Sequence, residues 1–311
     1  MVGRLAVPKT YKLYIGGKFP RSESGRTYEV LSKKGAFLAN AALASRKDAR
    51  DAVVAARAAF GGWSSATAYN RGQVLYRIAE LLEGRRDQFV DELVSAEGLS
   101  RTAAVKQVDT AIDAWVWYAG WADKYVQVAG NGNAVSGPYF NLSTPEPTGV
   151  VAIVAPQSGG SLLGLVSVVA PAIVSGNTVV VVAQQSAPLS AISLSEVLAT
   201  SDVPGGVVNI LTGSPAEIAP WLAGHADVNA IDLAGAGDLE WVDMQITAAD
   251  TLKRVITRAG RARAVASPHR RPDRDEDGLA HEVADLSVPT SGRWCEVAGR
   301  ATASRHTGRR T

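Results

Sequence analysis

The sequence predicts an α/β protein whose centre is a doubly wound, mostly parallel sheet. Three observations carry this. Four short apolar, β-branched runs recur at Val150–Val154, Thr178–Val182, Val207–Leu211 and Val228–Leu233. Stretches of helical length stand between them, at Leu162–Val174, Ala191–Thr200 and Ala216–Ala223. Breakers punctuate the series at Gly149, Gly176-Asn177 and Pro204-Gly205-Gly206. Continuous apolar runs suit strands buried on both faces. Strand, helix, strand at this spacing implies parallel strands joined by right-handed crossovers. In such a sheet a ligand belongs at the carboxyl ends of the strands.

The elements upstream follow from local signals. Tyr11–Ile15 alternates and stops at Gly16-Gly17, which reads as a strand and a turn. Ser45 can cap a helix over Arg46–Phe60, with Asp48 near its positive end. Ala49, Val53, Ala56 and Phe60 fall on one face of it. Asn70 can cap a second helix that carries Leu75, Ile78, Ala79 and Leu82 on one side. Asp87–Ala96 reads as a third helix, and Thr102–Val128 as a long fourth. The fourth carries Trp115, Trp117, Tyr118, Trp121 and Tyr125, whose spacing fits packing into a helical core better than a stacking platform. Gly130–Asn133 reads as a flexible turn and Tyr139–Thr144 as a strand whose edge could pair with another chain.

Composition bounds the partners. An apolar content of 46% in 311 residues is enough for a sizeable core. A net charge of +2 points to neither nucleic acid nor an anionic membrane as partner. One cysteine cannot build an internal disulfide framework, which fits a reducing compartment. The N-terminus, Met1-Val2-Gly3-Arg4-Leu5, lacks the apolar stretch of a signal peptide. The run Leu162–Val174 falls short of the ~20 residues a bilayer needs. A cytoplasmic chain is expected.

From about Ala259 the composition changes to many arginines, no lysine and a mixed-charge run, Arg270–Asp277. Such a stretch cannot bury enough apolar surface to offset its ordering entropy, and it is expected to be disordered. Two explanations stand: a genuine basic tail, or translation of a shifted reading frame.

Several motifs, in order, carry a family resemblance. Glu146-Pro147-Thr148-Gly149-Val150-Val151 leading to Ala155-Pro156 resembles the strand that enters the nicotinamide-binding domain of aldehyde dehydrogenases. Gly176–Val181 resembles that family's second strand, and Val203–Gly213 its third strand and following turn. Tyr118–Lys124 and Tyr139-Phe140-Asn141 also fit. The resemblance runs from about Tyr11 to about Gly235 and fades near Ile256, which favours the frame shift as the origin of the Arg-rich tail. It implies a Rossmann-like cofactor-binding domain over residues 1–258. That domain divides into a helical part to about 130, a bridging hairpin over about 131–148 and a βαβ core over 149–235, with 259–311 as the tail. The family's catalytic half is expected to be absent.

The resemblance implies NAD or NADP as cofactor, and the matched positions are Pro156, Ser158, Gln185, Gly213 and Gly235. The frame is kept, but nearly every functional polar side chain has changed. Ser158 stands where the family's oxyanion-holding asparagine would be, and losing such a donor typically costs ~10²–10³ in rate. Its plainer role is to satisfy free amides of the following helix. Val182 and Gln185 stand where a lysine and a glutamate hold ribose hydroxyls, and Val182 can bond neither. Gly213 is kept in the phosphate turn, but Pro215 and Ala219 replace common glycines. Gly235 alone survives of a Thr-Gly-Ser motif, as Ala234-Gly235-Ala236. Cys295, in Gly292-Arg293-Trp294-Cys295-Glu296, does not sit in the family's nucleophile context, so no catalytic residue and no metal ligand is assigned. The resulting expectation is a family member with lost or weakened cofactor binding. It would act as an inactive partner subunit in a homo- or hetero-oligomer, with a full-length aldehyde dehydrogenase as candidate partner. The alternatives are an active NAD(P)-dependent aldehyde oxidoreductase and a truncated gene product without independent function.

Overall fold

The computed structural model describes residues 9–257. The expected tail and Cys295 lie outside them. A small sheet opens the chain, with β1 (Thr10–Tyr11), β2 (Thr27–Leu31) and β3 (Phe37–Ala42) in the order β1-β3-β2. After Tyr11 the chain continues as isolated bridges, Tyr14 to Ile210 and Ile15 to Lys18 around the turn at Gly16-Gly17, rather than as one strand to Ile15. Asn209 Oδ1 accepts the Gly16 N–H at 2.9 Å, which fixes this turn on the main sheet.

Helix α1 (Arg46–Ser65) starts at Ser45 in a full capping box with Asp48, and runs more than one turn beyond Phe60. Helix α2 (Ala68–Glu83) is capped by Thr67, whose Oγ1 accepts the Asn70 N–H at 3.2 Å. The cap is therefore Thr67 and not Asn70, because a threonine hydroxyl satisfies the helix's free amides one turn earlier. Helix α3 (Arg86–Glu97) ends at Gly98 in the left-handed region, φ 64°. The expected long fourth helix is broken into α4 (Arg101–Trp121) and the short α5 (Tyr125–Ala129). Trp115, Tyr118 and Tyr125 are core, as the spacing predicts, but Trp117 is exposed and pairs with Trp121 at 5.9 Å between ring centroids.

Asn131–Gly132 is not a free turn. It forms β4, antiparallel to β5 (Leu142–Ser143), which is shorter than the expected strand to Thr144. Tyr139 and Phe140 stand in the loop of this ribbon, 73% and 88% exposed.

The main sheet comprises β6 (Val150–Val154), β7 (Thr178–Val182), β8 (Val208–Leu211), β9 (Ala230–Asp232) and a strand the sequence reading did not identify, β10 (Arg254–Ile256). Its connecting helices are α6 (Ser161–Val174), α7 (Leu189–Thr200), α8 (Pro215–Gly224) and, also unforeseen, α9 (Val242–Ala249). All five strands are parallel, in the order β10-β9-β6-β7-β8. Alternate residues enter opposite cores. Val151, Ile153, Val179 and Val181 pack with α2, α4, α6 and α7, whereas Val150, Ala152, Val154, Val180 and Val182 pack with α1 and α8. The sheet is thus wound on both faces. Chain order reverses between β6 and β9, which makes their carboxyl ends the topological switch point.

Helix α6 is held at its far end by side chains of α1 and α2. Trp63 Nε1 donates to Ile173 O at 2.9 Å and Arg71 Nε to Val174 O at 3.0 Å. These are last-turn carbonyls with no partner inside the helix, and both donors are buried. The opposite end of α6 points to the switch point.

Candidate functional site

The carboxyl ends of β6, β7 and β9 meet around one residue, Gln157. Gln157 Nε2 donates to Ala155 O at 2.7 Å and to Ala183 O at 3.4 Å, so its amide bridges the ends of β6 and β7. Gln157 Oε1 accepts the Gln185 N–H at 3.0 Å, and the Gln157 N–H donates to Gly235 O at 3.0 Å. Pro156, Gln185 and Gly235 are thereby brought together, and Gln157 does the joining. Nothing in the local sequence marks it, because its partners are backbone groups of three separate strand ends.

Gly235 has a steric reason to be glycine. A Cβ there would lie 2.6 Å from Pro156 N and 2.7 Å from Val154 O. Gly213 is similar. Its φ is 135°, and a Cβ would meet Leu43 Cδ1 at 3.1 Å and Ala44 N at 3.2 Å. Gly213 lies two residues after β8, under the β3–α1 connection, at the far edge of the sheet from β9. Both glycines are explained by close backbone approach without any ligand.

Ser158 is exposed and lines a cleft of about 580 Å³ with Gln107, Gly160, Gln184 and Lys33. It does not cap α6. The cap position is Gly160, at φ 88°, and the cap partner is Glu97 from the end of α3. Glu97 Oε1 accepts the Ser161 N–H at 2.9 Å and the Ser161 hydroxyl at 2.5 Å. The Ser161 hydroxyl also meets Ser190 Oγ at 2.6 Å. Glu97, Ser161 and Ser190 are all buried. A carboxylate is a stronger partner for a helix N-terminus than a serine hydroxyl, which is why Glu97 displaces Ser158 from that role.

A second cleft, of about 520 Å³, adjoins the first and is lined by Tyr28, Val30, Gln157 and Gln185. Tyr28 donates its phenol to Gln185 O at 3.2 Å, and burial holds its pKa well above the usual phenol range. At neutral pH it acts only as a neutral donor.

The turn from β9 into α9 completes the edge. Asp232, at the end of β9, is buried and accepts the Ala234 N–H at 2.8 Å. Glu240 Oε1 accepts the Val242 N–H, the first amide of α9, at 3.2 Å. Among the described residues, no group of three or more His, Cys, Asp or Glu could hold a metal ion. None of their helices is long and apolar enough to cross a membrane.

Fold and switch point define the class: a Rossmann-like, doubly wound α/β domain. Comparison with known proteins gives the family. A model of the aldehyde dehydrogenase family matches residues 19–301, and the chain belongs to that family. The match reaches beyond Gly235 and Ile256, where the motif resemblance ends. The chain is 33% identical over 265 residues to cytosolic 10-formyltetrahydrofolate dehydrogenase of Mus musculus, covering 83% of this chain and 29% of that protein. It is also 33% identical over 259 residues to the putative aldehyde dehydrogenase DhaS of Bacillus subtilis (strain 168), covering 81% of this chain and 50% of the relative. In structure it resembles the NAD+ complex of aldehyde dehydrogenase from Bacillus cereus, with a TM-score of 0.73 and 26% identity over 79% of this chain and 50% of that one. The NAD-dependent aldehyde dehydrogenase from Sinorhizobium meliloti matches with a TM-score of 0.72, 26% identity, and 80% and 50% coverage. The chain therefore spans half or less of these relatives' length.

Proposed function

We propose that this chain is a non-catalytic member of the aldehyde dehydrogenase family, working as a partner subunit and built on the family's cofactor-binding half. Its domains follow the sequence reading, with the cofactor-type domain over residues 1–258. The observation that carries the proposal is the Gln157 clamp. Beside the switch point, the Gln157 side chain is spent on the ends of β6 and β7 and its backbone N–H on Gly235 after β9, a structural use of a position where an enzyme would present a group to its substrate. NAD or NADP remains the cofactor class by resemblance, contacted through Pro156, Ser158, Gln185, Gly213 and Gly235, with binding weakened or lost. The partner surface is the β4–β5 ribbon, where Tyr139, Phe140 and Leu142 form an exposed apolar group.

Co-purification of the full chain from its native host, with mass spectrometry of the proteins that accompany it, tests the reading. A second aldehyde dehydrogenase chain or a homo-oligomer is the expected result. A strict monomer, or aldehyde-dependent NADH formation by the purified chain alone, would sink it.

A further inference from the structure

The switch-point edge is occupied by the chain's own side chains, and their chemistry bears on the cofactor. In a doubly wound sheet the diphosphate of a dinucleotide is held by free helix N-termini at this edge, whose amides and dipoles favour anions. Two such N-termini flank β6 and β9, and each is already occupied by a carboxylate. At α6 the Ser161 amide is taken by Glu97, a residue only 8% exposed. At α9 the Val242 amide is taken by Glu240, with Asp243 in the first turn behind it. Beside them, the Gln157 side chain spans the ends of β6 and β7. Gly237 folds over Gln157, close enough that a Cβ on it would lie 3.8 Å from the glutamine Cβ. Lys33 is the cation lining the larger cleft, and its aliphatic stem rests on Gly98. The residues present do not fit a nicotinamide dinucleotide.

We infer that Glu97, Gln157 and Glu240 themselves close this edge to the diphosphate of NAD and NADP, the two carboxylates as resident anions and the glutamine as a steric clamp. The inference rests on reading this edge as the family's cofactor edge, and it gives the weakened binding a cause in three named side chains. A phosphate brought to either N-terminus would meet a like charge and find the first helical amide already taken.

The test is a thermal-shift and calorimetric titration of the full chain with NAD+ and NADP+. Glu97→Gln and Glu240→Gln keep an acceptor for each helix amide while removing its charge, so the fold should survive, and circular dichroism checks that. The wild-type chain should show no saturable shift at millimolar cofactor. The double variant Glu97→Gln/Glu240→Gln should acquire one, with affinity gained on the order of tenfold per charge removed. Adding Gln157→Gly should strengthen it further. A saturable shift in the wild-type chain would overturn the inference, while leaving the partner-subunit reading to its own experiment. Folded variants as silent as the wild type would overturn the assignment to these three side chains.

Discussion

The Ser161 N–H and the Glu97 carboxylate meet at 2.9 Å across 64 positions of sequence. This bond joins the end of α3 to the start of α6 and sets where α6 begins. Its removal leaves the buried Ser161 amide short of its acceptor. Glu97→Ala is expected to destabilise the chain by about 1–3 kcal/mol, whereas Glu97→Gln should cost less than half of that. Urea unfolding with an unchanged slope is the measurement; equal losses for both variants would contradict the bond's role.

Two glycines separate close approach from mere permissiveness. Gly235→Ala would set a Cβ 2.6 Å from the Pro156 nitrogen, a backbone atom that cannot swing aside. A loss of about 3 kcal/mol or more is expected, read as a large fall in the thermal midpoint or as insoluble protein. Gly61, inside α1, has nothing within 4 Å of a built Cβ. Gly61→Ala should stabilise by about 1 kcal/mol, since alanine is the better helix former.

His225 should give the fold a mild acid sensitivity. It packs edge-on against Trp221 with centroids 4.7 Å apart, and its Nδ1 accepts the Asp227 N–H at 3.1 Å. Burial lowers its pKa below the usual histidine value, outweighing the opposite pull of Asp227. The unfolded chain then binds the proton more readily, so stability falls as pH drops through the ordinary histidine range near ~6.5. His225→Phe should flatten that part of a stability-versus-pH curve between pH ~7 and ~5. An unchanged slope would show that other groups set it.

The ribbon prediction concerns association. Tyr139→Ser with Phe140→Ser removes two of the most exposed aromatics while touching no core residue. Sedimentation should show a smaller assembly with an unchanged melting midpoint. If the assembly persists, the partner surface lies elsewhere.

What the sequence determined by itself was the frame. Val150–Val154 and Thr178–Val182 were legible to the residue, because a strand buried on both faces has no polar position to blur its ends. Helix α1 was legible from Ser45 and Asp48, because a capping box is a contact over three residues. Legibility failed where partners were distant or the pattern was short. Helix α9 and β10 span eight and three residues, too few to show a period. Trp117 and Trp121 share the spacing of core residues, and only the packing of α2 against α4 decides which face is covered. The candidate site divides the same way. Pro156, Gln185 and Gly235 could be named from motif position, yet their meeting through Gln157 could not. Nor could the replacement of Ser158 by Glu97 at the head of α6. Hydrogen bonds from one residue to three strand ends, or from an amide to a carboxylate 64 residues away, leave no local pattern. They exist only once the crossovers have brought those backbones together, and tertiary structure alone decided them.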